Sequence, residues 1–374
     1  MQGRPLLPVG LLVIVGCAAG PAPTVVMPTT LDRPFVAGYH AYWTEDAWVD
    51  YPWDVLDELY FFELELGADG EIMDAHGWPH RWGPMVTAAS EAGVQVVPTI
   101  SMHDPEAFEA LFADAARVGV AVDRVTGLLD ASTEREGLEL AGIHLDVEVF
   151  QPVSPDARDG YTAFVARLAE AMRRHHPGRS LSVFVLAFDD DDVYNERALG
   201  QIADFVVVQG YDYHSMGSAN AGPVAALRGW GRLNWETVLQ RFDGFGVPRD
   251  RIVMSVPLYG YEWPVVSEEP GAATRGEGVT VPYDAPDDVF PELPRAREQA
   301  ERHGIRRDAL SGAPFYVYSV DGGWIQGWAE DVESLASKAA FARDNGLGGV
   351  ALFPLAYGGV EIWNELRRAF PRSR

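Results

Sequence analysis

From about residue 35 onward, short apolar runs rich in β-branched and aromatic residues alternate with longer stretches whose apolar positions return every three to four residues. The short runs are Phe35–Tyr39, Glu58–Leu64, Val94–Ile100, Gly142–Val149, Leu181–Ala187, Phe205–Tyr211, Ile252–Tyr259 and Gly349–Phe353. The longer stretches include Tyr161–His175, apolar at Phe164, Val165, Leu168, Ala169 and Met172, and Leu335–Asn345. Strands separated by helices imply βαβ units and a parallel sheet. A run as unbroken as Phe205-Val206-Val207-Val208 fits a strand covered on both faces. Eight such units predict an α/β fold, a (β/α)8 TIM barrel, with a doubly wound open sheet as the competitor. The open sheet would carry a Gly-rich nucleotide fingerprint after its first strand, where Gly38-Tyr39-His40-Ala41-Tyr42-Trp43 stands instead. The last two strands are widely separated, and residues 264–315 between them are rich in Pro, Gly and acid. An insertion over the barrel mouth is expected there, within a barrel spanning 34–370.

Composition narrows the function classes. Hydrophobic residues make up 47% of the 374 and charged residues 22%, which suits a globular chain with a large core. Acidic side chains outnumber basic ones 55 to 29, for a net charge of −26. No basic stripe stands out against that field, so a nucleic-acid partner is not expected. A monomer is expected.

The one cysteine excludes an internal disulfide. Cys17 follows Arg4 and the apolar run Leu11-Leu12-Val13-Ile14-Val15, which is far shorter than the ~20 residues of a membrane-spanning helix. A basic residue before a short apolar core reads as an export signal. Ile14-Val15-Gly16-Cys17 resembles the bacterial lipobox, in which the cysteine is lipidated and becomes the mature N-terminus. Residues 1–16 are then a signal peptide, and 17–33, rich in Ala, Pro and Thr, a tether. The expectation is an exported protein whose lipid anchor holds it to the cell envelope, with Ala18 permitting an outer membrane, or a secreted one if the cysteine is incidental.

The chemistry concentrates in the fourth short run, Ala141-Gly142-Ile143-His144-Leu145-Asp146-Val147-Glu148-Val149. Strand side chains alternate faces, so His144, Asp146 and Glu148 share the face opposite Ile143, Leu145, Val147 and Val149, with successive members ~6.6 Å apart. Ionisable groups pointing into a barrel are costly to desolvate and are seldom there for stability. A neighbouring carboxylate raises the proton affinity of Glu148, as a general acid near neutral pH requires.

This strand is similar to the catalytic strand of glycoside hydrolase family 18, the chitinase family, whose pattern is D-G-x-D-x-D-x-E. Gly142, Asp146 and Glu148 match; Ala141 and His144 replace the first and middle Asp. Gln209-Gly210-Tyr211-Asp212 resembles the family's M-x-Y-D, with Gln209 replacing Met, and Val256-Pro257-Leu258-Tyr259-Gly260 its P-x-Y-G. Glu330-Asp331-Val332-Glu333-Ser334-Leu335 with Lys338, and Gly346-Leu347-Gly348-Gly349-Val350, resemble the helix and strand that end the barrel. Gly38-Tyr39 with Trp43 fits the first strand. Four motifs in the family's order cover about residues 35–365.

The resemblance implies a retaining glycosidase acting on β-linked N-acetylglucosamine-containing glycans, chitin-like or peptidoglycan, in which the substrate's own N-acetyl oxygen is the nucleophile. Glu148 would be general acid and then base. Asp146 and Tyr211 would hold the acetamido group, and Asp212, Tyr259 and His144 would contribute to substrate binding. His144 in the middle position is neutral or cationic; a cationic ring would lower the proton affinity of Asp146. Phe353 stands where the family has a Trp as the floor under the reacting sugar. The alternative is a non-catalytic, chitinase-like carbohydrate-binding lipoprotein on the same barrel.

Trp43, Trp263, Trp324 and Trp328 fall near strand ends or the expected mouth, and Trp43 and Trp328 are candidate sugar platforms. The run Asp189-Asp190-Asp191-Asp192 reads as a solvated acidic loop, with calcium as its alternative ligand. No spacing such as H-E-x-x-H occurs, and neither a metal nor a cofactor is expected.

Overall fold

The computed structural model describes residues 33–136, 139–286 and 293–372. The expected signal peptide, Cys17 and most of the tether lie outside the described residues. Among those described, no helix is long and apolar enough to cross a membrane.

Fourteen strands occur in the described chain: β1 (Phe35–Ala41), β2 (Glu58–Leu66), β3 (Ile72–Asp74), β4 (Gln95–Met102), β5 (Gly142–Val147), β6 (Ser180–Val185), β7 (Phe205–Val208), β8 (Ile252–Pro257), β9 (Tyr259–Val265), β10 (Val279–Pro282), β11 (Arg306–Arg307), β12 (Pro314–Val320), β13 (Gly323–Ala329) and β14 (Gly349–Phe353). Eight of them pair in parallel in the order β1-β14-β8-β7-β6-β5-β4-β2, and the β1–β2 pairing closes the ring. This is the (β/α)8 barrel, and each of its strands overlaps one of the eight short apolar runs. The short β3 pairs antiparallel on β2 at a register irregularity between Glu65 and Leu66.

Local signals in the sequence start the helices. Ser154, followed by Pro155, caps the helix Pro155–His175 by accepting the Ala157 N–H. Asp331 and Ser334 form a capping box at the helix Val332–Asp344, each side chain accepting the other's backbone N–H. Behind it Lys338 Nζ meets Glu330 Oε2 at 2.6 Å, with both side chains 3% exposed and the ammonium 5.6 Å from the Trp235 ring centroid. Breaking one side of so buried a pair leaves an uncompensated charge, so these two residues stand or fall together.

The segment between β8 and β14 builds a second sheet, antiparallel, in the order β10-β9-β13-β12-β11. It begins at Tyr259 and ends at Ala329, wider than the 264–315 expected for the insertion. The difference has a physical origin. Only Leu258 separates β8 from β9, so an apolar run read as one strand is two strands in two sheets. Gly260 permits the junction, because a Cβ there would lie 1.9 Å from the Trp328 carbonyl oxygen. Tyr259, Tyr261, Trp263, Phe315, Val317 and Trp328 form the sheet's own apolar cluster.

Candidate active site

β5 ends at Val147, which places Glu148 one residue past the strand at the carboxyl end of the barrel, where active sites of this fold lie. Its backbone N–H still donates to the Met102 carbonyl at 2.9 Å, holding the register with β4. The Tyr194 hydroxyl spans the bend, donating to Val147 O at 2.9 Å and accepting the Val149 N–H at 2.6 Å. Tyr194 is itself placed by Asp189, whose carboxylate accepts the N–H groups of Val193 and Tyr194 at 3.0 and 2.7 Å. In the rest of the acidic run, Asp190 pairs with Arg232 and Asp192 with Arg158. Asp189 thus braces the site, while Asp190, Asp191 and Asp192 are exposed, as expected of a solvated acidic loop.

Asp146 is 5% exposed, and its buried Oδ1 has no hydrogen-bond partner. Burial, the Glu148 charge and the Glu63 charge hold the Asp146 carboxyl well above the usual carboxylate range. Glu148 is pushed up to about 7: burial dominates, His103 opposes it, the charges of Asp212 and Glu63 add to it, and the hydrogen bond from Asp146 opposes it. The pair thus offers a carboxyl poised to give or take a proton, beside a second, more deeply buried carboxyl.

His144 lies below them, fully buried, stacked on Tyr60 with ring centroids 4.5 Å apart and planes 8° apart. Its Nε2 meets the Tyr39 hydroxyl at 2.9 Å and its Nδ1 the Ser182 hydroxyl at 2.8 Å. Burial pulls its imidazole down to about 3, only weakly opposed by Ser182. The ring is therefore neutral, which decides between the two states left open by the sequence. It is also out of reach of any ligand in the mouth, so the expected substrate contact is corrected to a core hydrogen-bonding role.

Gly210 lets the chain leave β7 close against β8, since a Cβ there would lie 2.0 Å from the Ser255 carbonyl oxygen. The half-buried Tyr211 ring that follows stacks on Phe353, centroids 6.1 Å apart and planes 10° apart. Phe353 also meets Tyr39 and Phe62 edge-on, at 5.5 and 5.8 Å, and so forms the floor between the first, second and sixth strands of the barrel. Asp212 adopts φ 59°, a left-handed conformation that Asp tolerates better than most residues. Its Oδ1 accepts from the Tyr259 and Tyr261 hydroxyls, both at 3.0 Å. Burial raises the Asp212 carboxyl and these two bonds lower it, with burial the larger. Tyr259 is itself buried with its hydroxyl committed to Asp212, so its expected contact with substrate is corrected to a positioning role.

Trp43 stands at the rim, 36% exposed, edge-on to Phe62 with centroids 5.7 Å apart. Trp328 is fully buried in the inserted sheet, stacked on Phe315 at 4.5 Å with its indole N–H on Gln326, and Trp263 is equally buried. The sugar contact expected of Trp328 is corrected: it and Trp263 are core of the insertion, the commoner fate of an aromatic on a strand. Trp324 is only partly covered.

Sequence reasoning missed several residues of this region. Glu63, 7% exposed on β2, accepts a hydrogen bond from His103 Nε2 at 3.3 Å, just past the end of β4. Burial alone would lower the His103 imidazole, but the Glu63 hydrogen bond and the charges of Glu148, Glu63 and Glu65 hold it above its ordinary value. The available signal was their place at the carboxyl ends of barrel strands. Donor atoms of Glu63, Glu65 and His76 also converge within 4.8 Å of one another, a set able to hold a metal ion that the sequence spacing gave no reason to expect.

Comparison with known proteins agrees with this geometry. The family model described as "Glycosyl hydrolases family 18" matches residues 37–358. A cortical fragment-lytic enzyme of Bacillus anthracis is 26% identical over 325 residues, covering 84% of this chain and 68% of its own. Among solved structures, the spore cortex-lytic enzyme SleL of Bacillus cereus superposes with TM-score 0.71 at 20% identity, over 92% of this chain and 76% of that one. A chitinase-like agglutinin of Robinia pseudoacacia superposes with TM-score 0.74 at 17% identity, over 89% and 99%. The chain spans about half the length of several curated relatives that it matches, 47% and 49% in two cases.

Proposed function

The chain belongs to family 18 of the glycosyl hydrolases, and on that premise we propose that it is a retaining glycosidase of β-linked N-acetylglucosamine-containing glycans, chitin-like or peptidoglycan, working by substrate-assisted catalysis. The observation that carries the reading is the Asp146–Glu148 pair, two carboxyls two residues apart at the carboxyl end of β5, with Asp146 buried and Glu148 poised near neutrality. Glu148 gives its proton to the leaving glycosidic oxygen while the substrate's acetamido oxygen attacks the anomeric carbon. The bond to the leaving sugar breaks and an oxazolinium intermediate forms. Glu148, now a carboxylate, takes a proton from the water that opens the intermediate, and the anomeric configuration is retained. The Asp146 carboxyl accepts the acetamido N–H and stabilises the positive charge that develops there. Tyr211 holds the same group from the side, and Phe353, with Trp43 at the rim, supplies apolar surface for the pyranose faces.

The test is turnover of fluorogenic N-acetylchitooligosaccharides and of peptidoglycan by the native protein and by Glu148→Gln. Loss of general acid–base catalysis costs ~10²–10⁴ in kcat. Turnover that survives Glu148→Gln rejects the assignment. The second reading, sugar binding without turnover, draws on the altered neighbours Ala141, His144 and Phe353. It prevails if the native protein binds these glycans and hydrolyses none of them at any pH. We further propose that Cys17 carries a lipid that anchors the exported protein to the cell envelope. Metabolic labelling with a radioactive fatty acid, present in the native chain and absent in Cys17→Ala, checks this.

A further inference from the structure

We propose that Glu63, Glu65 and His76 bind one divalent transition-metal ion of the zinc class at the rim of the barrel. The three residues come from two places, the end of β2 and the loop that follows β3. They bring one imidazole nitrogen and two carboxylate oxygens within 4.8 Å of one another. His76 Nε2 and Glu65 Oε1 are 3.1 Å apart. In a tetrahedral site with bonds of ~2.0–2.1 Å, neighbouring donor atoms lie ~3.3 Å apart, so this pair is already at ligand spacing.

The surroundings have the form that metal sites take. Asp74 Oδ1 lies 3.6 Å from His76 Nδ1 and accepts the His76 backbone N–H at 2.7 Å, which leaves Nε2 directed at the carboxylates. His103 Nε2 meets Glu63 Oε2 at 3.3 Å. An outer carboxylate behind a ligating imidazole, and an outer donor behind a ligating carboxylate, fix orientation and raise ligand basicity. The imidazole is further clamped. Its ring lies flat on Tyr42, centroids 3.5 Å and planes 2° apart, and the His76 carbonyl accepts the Trp82 indole N–H at 2.9 Å. The Glu63 and His76 side chains are 9% and 12% exposed. That burial cuts the hydration competing for their donor atoms.

The donor set selects the class of ion. Calcium takes six to eight oxygens and magnesium a near-octahedral oxygen shell, whereas an imidazole beside carboxylates suits zinc and its neighbours. Three protein ligands leave a coordination position for water or for a glycan hydroxyl. A cation also offsets the repulsion between Glu63 and Glu65 at the edge of a cleft that already holds Asp146, Glu148 and Asp212. The simpler arrangement of the same residues is a bare Glu65–His76 hydrogen bond.

The experiment needs no turnover, so it fails or succeeds independently of the glycosidase reading. The full chain, stripped of metal, is dialysed against zinc chloride alone, and bound metal is counted by elemental analysis. X-ray absorption at the zinc edge then reports the ligands. The expected result is one zinc per chain with one imidazole and oxygen ligands at ~2.0–2.1 Å. Glu65→Gln and His76→Gln should each abolish stoichiometric uptake, and Asp74→Asn, which touches only the outer partner, should weaken it ~10–100-fold. Circular dichroism of the metal-free variants verifies that they are folded. No zinc bound by the native chain, uptake unchanged in His76→Gln, or calcium taken in preference to zinc would each overturn the proposal.

Discussion

The Tyr194 hydroxyl accepts the backbone N–H of Val149 at 2.6 Å and donates to the carbonyl of Val147 at 2.9 Å, so one phenol grips the chain on both sides of Glu148. The acid is held by its backbone as well as by its carboxyl neighbours. Tyr194→Phe removes the grip and leaves a buried N–H and a buried carbonyl unpaired, each worth ~1–3 kcal/mol. Stability should drop by about that much in urea titration. With Glu148 free to shift, kcat should fall about tenfold or more while KM changes little, because the interaction acts on alignment in the transition state. Equal rates in native protein and variant would show that Glu148 needs no such brace.

On the proposed mechanism Glu148, its carboxyl pushed up to about 7, must hold a proton to act as general acid, so kcat/KM should fall as pH rises through about 7. The Asp212 charge is one of the causes that raise Glu148, hence Asp212→Asn should move this limb to lower pH. Pre-steady-state and steady-state rates across pH 5–9 provide the measurement. A limb that stays in place or moves upward contradicts the electrostatic account.

His144 contributes a pH-dependent stability whose sign follows from its depressed imidazole. The unfolded chain binds the proton at ~6.5 and the folded chain only at about 3. Its contribution is complete above the unfolded value and is lost as pH falls from about 6.5 towards 3. His144→Gln cannot titrate, so its stability should be lower than native at pH 7 and should decline less between pH 7 and pH 4. Guanidinium unfolding midpoints at the two pH values test the difference, and parallel declines would show that the ring is not held neutral.

Trp43 offers an exposed ring at the rim and buries little of the core. Trp43→Ala should therefore leave the melting temperature within a degree or two. It should raise KM for oligosaccharides several-fold, in line with the ~0.5–1.5 kcal/mol that an aromatic contact supplies. An unchanged KM across substrates of different length would remove Trp43 from the binding surface.

The barrel was legible because its parallel strands are covered on both faces and read as unbroken β-branched runs, as in Phe205–Val208. Asp146 and Glu148 were legible because alternation in a strand is a strict two-residue period that needs no knowledge of the rest of the fold. His144 shows the limit of that reasoning. The same period that put it on the inner face said nothing of depth, and depth made it a neutral core residue instead of a sugar contact. Tyr259 and Trp328 went astray because one residue, Leu258, turns the chain from the barrel into a second sheet, and no pattern of apolar positions marks so short a turn. Glu63, His103 and His76 escaped because their partners are distant in sequence. Only the closure of β2 against β4 and the return of the loop after β3 bring them together.

Tyr259 and Tyr261, on the first strand of the inserted sheet, hold the Asp212 carboxylate at the edge of the catalytic centre. The sheet wall and the Tyr211–Asp212 segment are thereby linked as a lever. On the proposed function, a glycan long enough to reach the inserted sheet would rest on a wall joined by these bonds to Asp212, and extending the glycan is expected to raise kcat as well as lower KM.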